Sequence, residues 1–178
     1  MAYTTPSTWV AGAVLTAAQL NTQLRDNIRF LHGVPTCRLR RDAAQALASG
    51  SWDTVQWDTE DWDNNTIWSS TNNDQLFVRT AGKYNAIFVM GFATSTGGTV
   101  RAAALVKNST ALALNDDAWT FSHPADKVFG VNNLTVSGMF SMTTSDYLTG
   151  QFFQDAGAIN SSTTVAEQPR IAIFWVSS

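Results

Sequence analysis

The amino-acid sequence predicts an all-β protein, an antiparallel jelly-roll sandwich preceded by an irregular arm and one N-terminal α-helix. Apolar residues recur at helical spacing only near the N-terminus, and from Pro35 onward they alternate with polar ones. The segments between them are rich in Gly, Asn, Asp, Ser and Thr, which are the residues that turns require. Many short strands separated by turns are typical of a sandwich or jelly roll. We therefore divide the chain into an arm and helix, 1–34, and a sandwich domain, 35–178.

The helix is predicted over 16–32. Thr16 and Gln19 fit a capping box, while Gly33 and Pro35 mark the end of the helix. Because an isolated helix of this length is only marginally stable in water, its apolar stripe must pack on something. The alternatives are the chain's own domain, sister helices or a larger assembly. The residues expected to serve attachment or oligomerisation are Trp9, Leu15, Leu20, Leu24, Ile28 and Leu31.

Period-two alternation predicts the strands of the sandwich. In the long segment 84–92, the even-numbered residues form one apolar face, while Ile87 and Val89 lie on the other face. That strand is therefore expected to be covered on both sides. The turn after residue 106 should join two paired strands. The predicted strands are 37–41, 76–79, 84–92, 99–106, 111–114, 134–142, 147–153 and 171–176.

The composition excludes several classes of protein. Only 14% of the 178 residues are charged, against about 25% in ordinary domains, and the net charge is −3. These values argue against nucleic-acid binding through phosphate neutralisation. A single Cys excludes an intramolecular disulfide framework. No apolar run approaches the roughly 20 residues of a membrane helix, so membrane insertion is not expected. The first residues lack the pattern of a signal peptide, which predicts synthesis in the cytoplasm.

Catalytic residues and cofactors are not expected. His32 closes the helix, His123 is predicted to lie in a loop, and Cys37 fits a small buried residue of a strand. No nucleophile elbow, phosphate loop or dinucleotide motif is present. The candidate metal ligands are the carboxylates of an acidic stretch that could hold Ca²⁺, although the stretch lacks the EF-hand spacing and also fits a solvated loop. These carboxylates are Asp58, Asp61 and Asp63.

Seven tryptophans are the other unusual feature of the composition. Exposed indole rings stack on sugars or pack into protein interfaces, whereas buried ones belong to a core. The first three members of the main cluster are spaced by five residues, so in an extended segment they alternate faces and at least one should point inward. The candidate ligand or interface aromatics are Trp52, Trp57, Trp62, Trp68 and Trp119.

Four short stretches of the sandwich domain resemble the jelly roll of the complement globular-head and tumour necrosis factor superfamily. One resembles an early strand, one a Gly-x-Tyr motif at the start of a central strand, one an Asn-containing turn and one an Asp-led strand. The resemblance implies a homotrimer without conserved catalytic residues. The stretches are Thr54-Val55-Gln56-Trp57-Asp58 with Trp62-Asp63, Thr80-Ala81-Gly82-Lys83-Tyr84-Asn85-Ala86, Leu105-Val106-Lys107-Asn108, and Asp146-Tyr147-Leu148-Thr149-Gly150.

The N-terminal segment resembles a leader that precedes such a domain in structural proteins of tailed bacteriophages. The resemblance implies a homotrimeric virion protein docked through its arm and helix, with other virion proteins and a host-surface glycan or protein as partners. Tail or tail-tip attachment is the first expectation. The alternatives are a capsid decoration protein that stabilises the head, and a glycan-binding module. The matching residues are Thr8-Trp9-Val10-Ala11-Gly12, Leu15-Thr16-Ala17-Ala18-Gln19-Leu20-Asn21 and Leu24-Arg25-Asp26-Asn27.

Overall fold

The computed structural model describes residues 3–93, 97–109, 118–124, 132–164 and 167–178. In these ranges one helix, α1 (17–32), precedes twelve strands. The strands are β1 (Thr36–Arg40), β2 (Ala46–Leu47), β3 (Trp52–Thr54), β4 (Thr59–Asp63), β5 (Leu76–Phe77), β6 (Gly82–Phe92), β7 (Val100–Lys107), β8 (Ala118–Pro124), β9 (Asn132–Met142), β10 (Tyr147–Gln154), β11 (Ile159–Asn160) and β12 (Arg170–Ser177).

Helix α1 begins and ends where the sequence predicts. The Thr16 hydroxyl accepts the N–H of Gln19 at 3.2 Å, and the Gln19 side chain accepts the N–H of Thr16 at 2.8 Å, which confirms the capping box. The middle of the helix differs from the prediction. The segment Asn21–Asp26 is π-helical and lies between the α-helical segments Ala17–Leu20 and Asn27–His32. The spacing of apolar residues reports which face is buried and not which carbonyl each N–H bonds, so periodicity misses this change.

Two antiparallel sheets form the sandwich, and the jelly-roll architecture is confirmed. The first has the strand order β4-β1-β12-β6-β9. The second has the order β3-β10-β7-β8, with β5 also paired to β10. A short ribbon of β2 and β11 lies beside them. The chain runs from α1 directly into β1, which pairs with β12 near the middle of the first sheet. The helix therefore joins the sandwich at that sheet.

The core lies between the two sheets, and β6 contributes much of it. As predicted, the even-numbered side chains of β6 are buried. The prediction that β6 is covered on both sides is wrong for the single chain, because Ile87 on the opposite face is 39% exposed. The buried residues of β6 are Tyr84, Ala86, Phe88, Met90 and Phe92.

Two other predictions are corrected. The segment predicted over 76–79 shortens to β5, because the chain bends at residues 79 and 80. His123 lies in β8, where it pairs with Arg101, and not in a loop. Strand β7 pairs with β8 and β10. The strand predicted over 111–114 lies outside the described residues.

Candidate functional site

One face of α1 carries apolar side chains that the rest of the chain leaves uncovered. We call Leu20, Leu24, Ile28 and Leu31 the helix stripe; their exposed fractions run from 38% to 62%. Trp9 and Leu15 of the preceding arm are also exposed. Scattered exposed apolar residues are ordinary, but a continuous row of them marks a surface that binds a protein or a membrane. All six predicted attachment residues are therefore available to a partner.

The opposite side of α1 is held against the chain. Phe30 is buried, and its ring meets the edge of Trp175 at a centroid distance of 4.9 Å. The Asn27 side chain accepts the N–H of Thr4 at 3.0 Å and donates to the carbonyl of Thr4 at 2.8 Å. The arm is thus bound to the inner side of the helix, so the helix stripe points away from it. Sequence reasoning missed Phe30, although its position off the stripe was visible in the sequence.

The outer side of the first sheet is a second uncovered surface, which we call the open face. The register places Trp62, Arg38, Ala172, Ile87 and Ser137 in one row across all five strands. Trp62 is 46% exposed at one edge of this row. A neighbouring row ends on β9 at Met139, which is 55% exposed. The open face therefore presents apolar residues from one edge of the sheet to the other.

A groove of about 320 Å³ lies on the open face beside Trp62. The guanidinium carbon of Arg38 stands 5.1 Å from the centre of the Trp62 ring, and Arg38 Nε lies 3.1 Å from an Asp61 carboxylate oxygen. One wall of the groove is thus a fixed indole stacked on a paired cation. The groove is lined by Trp62, Arg38, Arg170, Ile87, Val89 and Ala172.

The tryptophans predicted as a cluster are dispersed by the fold. Trp57 is buried and meets Phe88 edge to face at 6.0 Å, so it belongs to the core. Trp68 is partly buried and packs against that core. Trp52 is partly buried and its ring lies 5.8 Å from that of Phe153 on the second sheet. Trp119 lies in β8, paired with Leu105. Among the tryptophans of the cluster whose side chains the structure describes, Trp62 alone is exposed.

The three candidate metal-binding carboxylates face different partners. Asp58 accepts two backbone N–H groups of the loop after β1, at 2.8 and 2.9 Å. Asp61 lies 2.7 Å from Arg40 and 3.1 Å from Arg38. Asp63 accepts two backbone N–H groups further along the chain, at 3.0 and 2.8 Å. Over the described ranges, no three His, Cys, Asp or Glu side chains are grouped as a metal site would require.

The single cysteine does not have the environment of a nucleophile. Cys37 is buried in β1, and burial raises the pKa of its thiol, which Asp63 and Glu60 raise further. A thiol must lose its proton to react, so this environment keeps Cys37 inert at neutral pH. As for membranes, no helix among the described residues is both long and apolar enough to cross one.

Solved structures share the fold of this chain. The globular domain of zebrafish complement 1qA protein is 14% identical, with a TM-score of 0.51, over 80% of this chain and 97% of that one. Murine APRIL at pH 8.0 is 12% identical, with a TM-score of 0.55, over 79% and 98%. The fold is the jelly roll of C1q and the tumour necrosis factor family. No protein-family model and no curated protein matches the chain.

The residues that suggested this C1q-like jelly roll occupy definite places in it. Gly82 and Tyr84 begin β6, and the Tyr84 hydroxyl donates to the Thr80 carbonyl at 2.7 Å. Asn108 follows β7 with a φ of 56°, and its amide donates to the carboxylate of Asp146 at 2.7 Å. Two motifs that are distant in the sequence therefore tie the ends of β7 and β10 together.

Proposed function

We propose that this chain is a non-enzymatic structural protein of a phage virion, a homotrimer that docks to the particle through its arm and helix. The observation that carries the proposal is the uncovered helix stripe. The opposite side of α1 is already bound to the arm, so the stripe is the side of the helix that a partner can contact. The resemblance of residues 8–27 to a phage leader is the reason that we propose a phage particle as the assembly to which the chain docks. Tail or tail-tip attachment is our first choice, with the sandwich facing outward toward a host surface.

The open face supports the trimeric part of the proposal. It exposes Trp62, Ile87 and Met139 on a sheet whose other side is the core. Phe, Trp and Met are enriched in the buried centres of interfaces. Packing three such faces around one axis removes from water an apolar surface that a free monomer leaves exposed. Exposure of this face is the reason that we expect association rather than a solitary domain.

The non-enzymatic part of the proposal is supported by how the titratable groups are used. The acidic groups Asp58, Asp61 and Asp63 are engaged in ion pairs or backbone hydrogen bonds. The thiol of Cys37 is buried and its pKa is raised. Groups held in this way stabilise loops and strands, and they do not converge on a pocket where a substrate could react.

Docking is tested by changing the helix stripe in the full-length chain. Leu24→Ser with Ile28→Ser should leave the sandwich folded, since both side chains are exposed, and should remove the chain from purified particles. Arg29→Ser, which changes an exposed residue of α1 outside the stripe, should be incorporated normally. Normal incorporation of the double variant would rule out the stripe as the anchor.

A capsid decoration protein is the alternative that the same geometry accommodates, because a trimer with an anchoring arm also suits a threefold site on a head. Labelling full-length chains and imaging intact particles separates the two positions. Label at the tail tip supports our first choice, whereas label over the head surface supports decoration.

The glycan-binding alternative requires exposed indole rings, and Trp62 is the ring of the described cluster that offers one.

A further inference from the structure

We propose that residues 3–7 of one copy, the arm segment, are seated on helix α1 of another copy, so that the copies of the assembled protein exchange arms. The exchange rests on the proposed homotrimer and adds to it a contact made by the N-terminal region. It uses the inner side of α1 and leaves the helix stripe uncovered for the particle. The binding site exists in the single chain, where the chain's own arm segment occupies it.

Two side-chain amides of α1 bind the backbone of the arm segment. Gln23 Oε1 accepts the N–H of Ser7 at 2.7 Å. The Asn27 side chain accepts the N–H of Thr4 at 3.0 Å and donates to the carbonyl of Thr4 at 2.8 Å. Because Gln23 and Asn27 are four residues apart, they lie on one face of the helix. Asn27 thus pairs with both backbone groups of Thr4, as a residue of a neighbouring strand would.

An aromatic pocket between α1 and the sandwich completes the site. The Tyr3 ring lies 6.0 Å from the ring of Phe30 and 6.4 Å from that of Trp175. Trp175 belongs to β12, and its Nε1 donates to the Ala81 carbonyl at 3.2 Å. The pocket is therefore held by the sandwich rather than by the arm. An arm segment from any copy finds the same contacts there.

The arm segment is held weakly by its own chain. Residues 4–15 are all exposed. Among the described residues, three hydrogen bonds and the Tyr3 ring join the arm segment to α1 and the sandwich. The net gain from one hydrogen bond is about as large as the entropic cost of fixing the backbone of one residue. Since five residues are fixed for these contacts, we expect the arm segment to detach readily and rebind.

The linker, residues 8–15, is long enough to carry the arm segment to a second copy. In the single chain it folds back through a turn at Gly12, whose φ is 84°, and the N–H of Ala13 donates to the Val10 carbonyl at 3.1 Å. Eight extended residues span up to about 26 Å. A helix with its side chains is about 10–12 Å across, so an opened linker reaches helix α1 of an adjacent copy.

The linker also favours the exchanged arrangement. The contacts between the arm segment and its site are the same in both arrangements, so the difference in free energy lies in the linker. Folded back, the linker leaves Trp9, Val10, Val14 and Leu15 exposed, with Val14 at 90%. A linker that crosses between copies lays these apolar side chains against a neighbour and removes them from water. Exchange of an identical element is a low-cost way of joining copies.

The experiment uses the full-length chain with Thr4→Cys and Asn27→Cys, purified as the trimer, oxidised mildly at low concentration and run on a denaturing gel. The two positions lie side by side whichever copy supplies the arm segment. A disulfide therefore forms in both arrangements, and the size of the product distinguishes them. We expect most chains to become covalent dimers and trimers, whereas a chain that binds its own arm segment gives a cross-linked monomer.

The matched control combines Thr4→Cys with Arg29→Cys. Arg29 is exposed and lies two residues from Asn27, so it is on another side of α1. This pair should give at least tenfold less cross-linked product. The single variants report any reaction of the buried Cys37.

Three outcomes would overturn the exchange. Cross-linked monomers from a trimeric protein would mean that each arm segment stays on its own helix, and the homotrimer would stand. A trimeric double variant without cross-links would mean that the arm segment binds neither helix. A wild-type chain that is monomeric at micromolar concentration would overturn the homotrimer as well, which light scattering shows before any cysteine is introduced.

A second variant covers the case in which the cysteine pair disturbs the site. Thr4→Pro removes the N–H that Asn27 accepts, and its trimer should dissociate at a concentration about fivefold or more above that of the wild type, because each copy loses a contact to another copy. Thr5→Pro is the matched control, since the N–H of Thr5 makes no hydrogen bond to the described residues, and it should dissociate as the wild type does. An unchanged midpoint for Thr4→Pro would overturn the proposal.

Discussion

Replacing Phe30 by Ala should release α1 from the sandwich while the sandwich stays folded. Phe30 is buried, and its ring lies 4.9 Å from that of Trp175 and 6.0 Å from that of Tyr3. Removing a buried Phe side chain costs about 3–5 kcal/mol. The Phe30 ring joins the helix to the sandwich, so the substitution should make the free energy of helix docking less favourable by this amount. The ratio of undocked to docked helix should rise by about 10²- to 4 × 10³-fold.

Hydrogen exchange followed by mass spectrometry measures this change on peptides that cover 17–32 and, for comparison, β6. The chain should also carry Ile87→Asp, so that assembly does not protect the helix stripe. Phe30→Ala should speed exchange over 17–32, because an undocked helix of this length is marginal in water, and leave β6 protected. The control is Arg29→Ala, an exposed neighbour on the same helix, which should change helix protection very little.

Two results would refute this reasoning. If 17–32 keeps its protection in Phe30→Ala, interactions other than those of the Phe30 ring hold the helix. If β6 loses protection together with the helix, α1 is an integral part of the sandwich rather than a separable attachment element. In the second case the chain could not undock its helix to engage a partner without unfolding.

Three further predictions concern the sandwich. Gly91→Ala should lower the free energy of unfolding by about 1–3 kcal/mol or more, seen as an earlier denaturant midpoint, because its Cβ would lie 1.4 Å from the Glu167 carbonyl oxygen. Hydrogen bonds from the Thr99 hydroxyl and from the backbone lower the pKa of Asp155 to about 2, below its ordinary 3.8. The stability lost in Asp155→Asn should therefore be largest above about pH 4 and should disappear as the pH falls through about 2; a difference in melting temperature that stays constant with pH would contradict this. Ile87→Asp should give a folded monomer by light scattering, and a surviving trimer would exclude the open face as the interface.

The sequence predicts elements whose cause is local. Thr16 and Gln19 are three residues apart, so the start of α1 can be read from the capping pattern, and the structure confirms it. The core face of β6 follows from strict alternation around Phe88. Contacts between distant segments are different in kind. Arg38 and Asp61, or Asn108 and Asp146, meet only because the sheets bring them together, and no spacing rule predicts such pairs.

The open face shows why the candidate site was predicted only in part. Alternation marks Ile87 and Val89 as apolar, but it cannot tell whether a second layer of the same chain or another chain covers them. The helix stripe was subject to the same ambiguity, and the structure resolved it by placing Phe30 rather than Leu24 against the sandwich. In both cases the sequence predicted that a surface is buried, and the fold shows that the single chain does not bury it.

The low charge of the chain acquires a specific meaning on this surface. The guanidinium groups of Arg38 and Arg40 are paired with Asp61 and Asp42 of the same chain. Breaking such a pair in a buried setting is costly, because the remaining charge has no partner, whereas an intact pair can be covered with its charges balanced. Arg38 and Arg40 of the open face are therefore already neutralised within the chain, so covering them does not require a new charged partner.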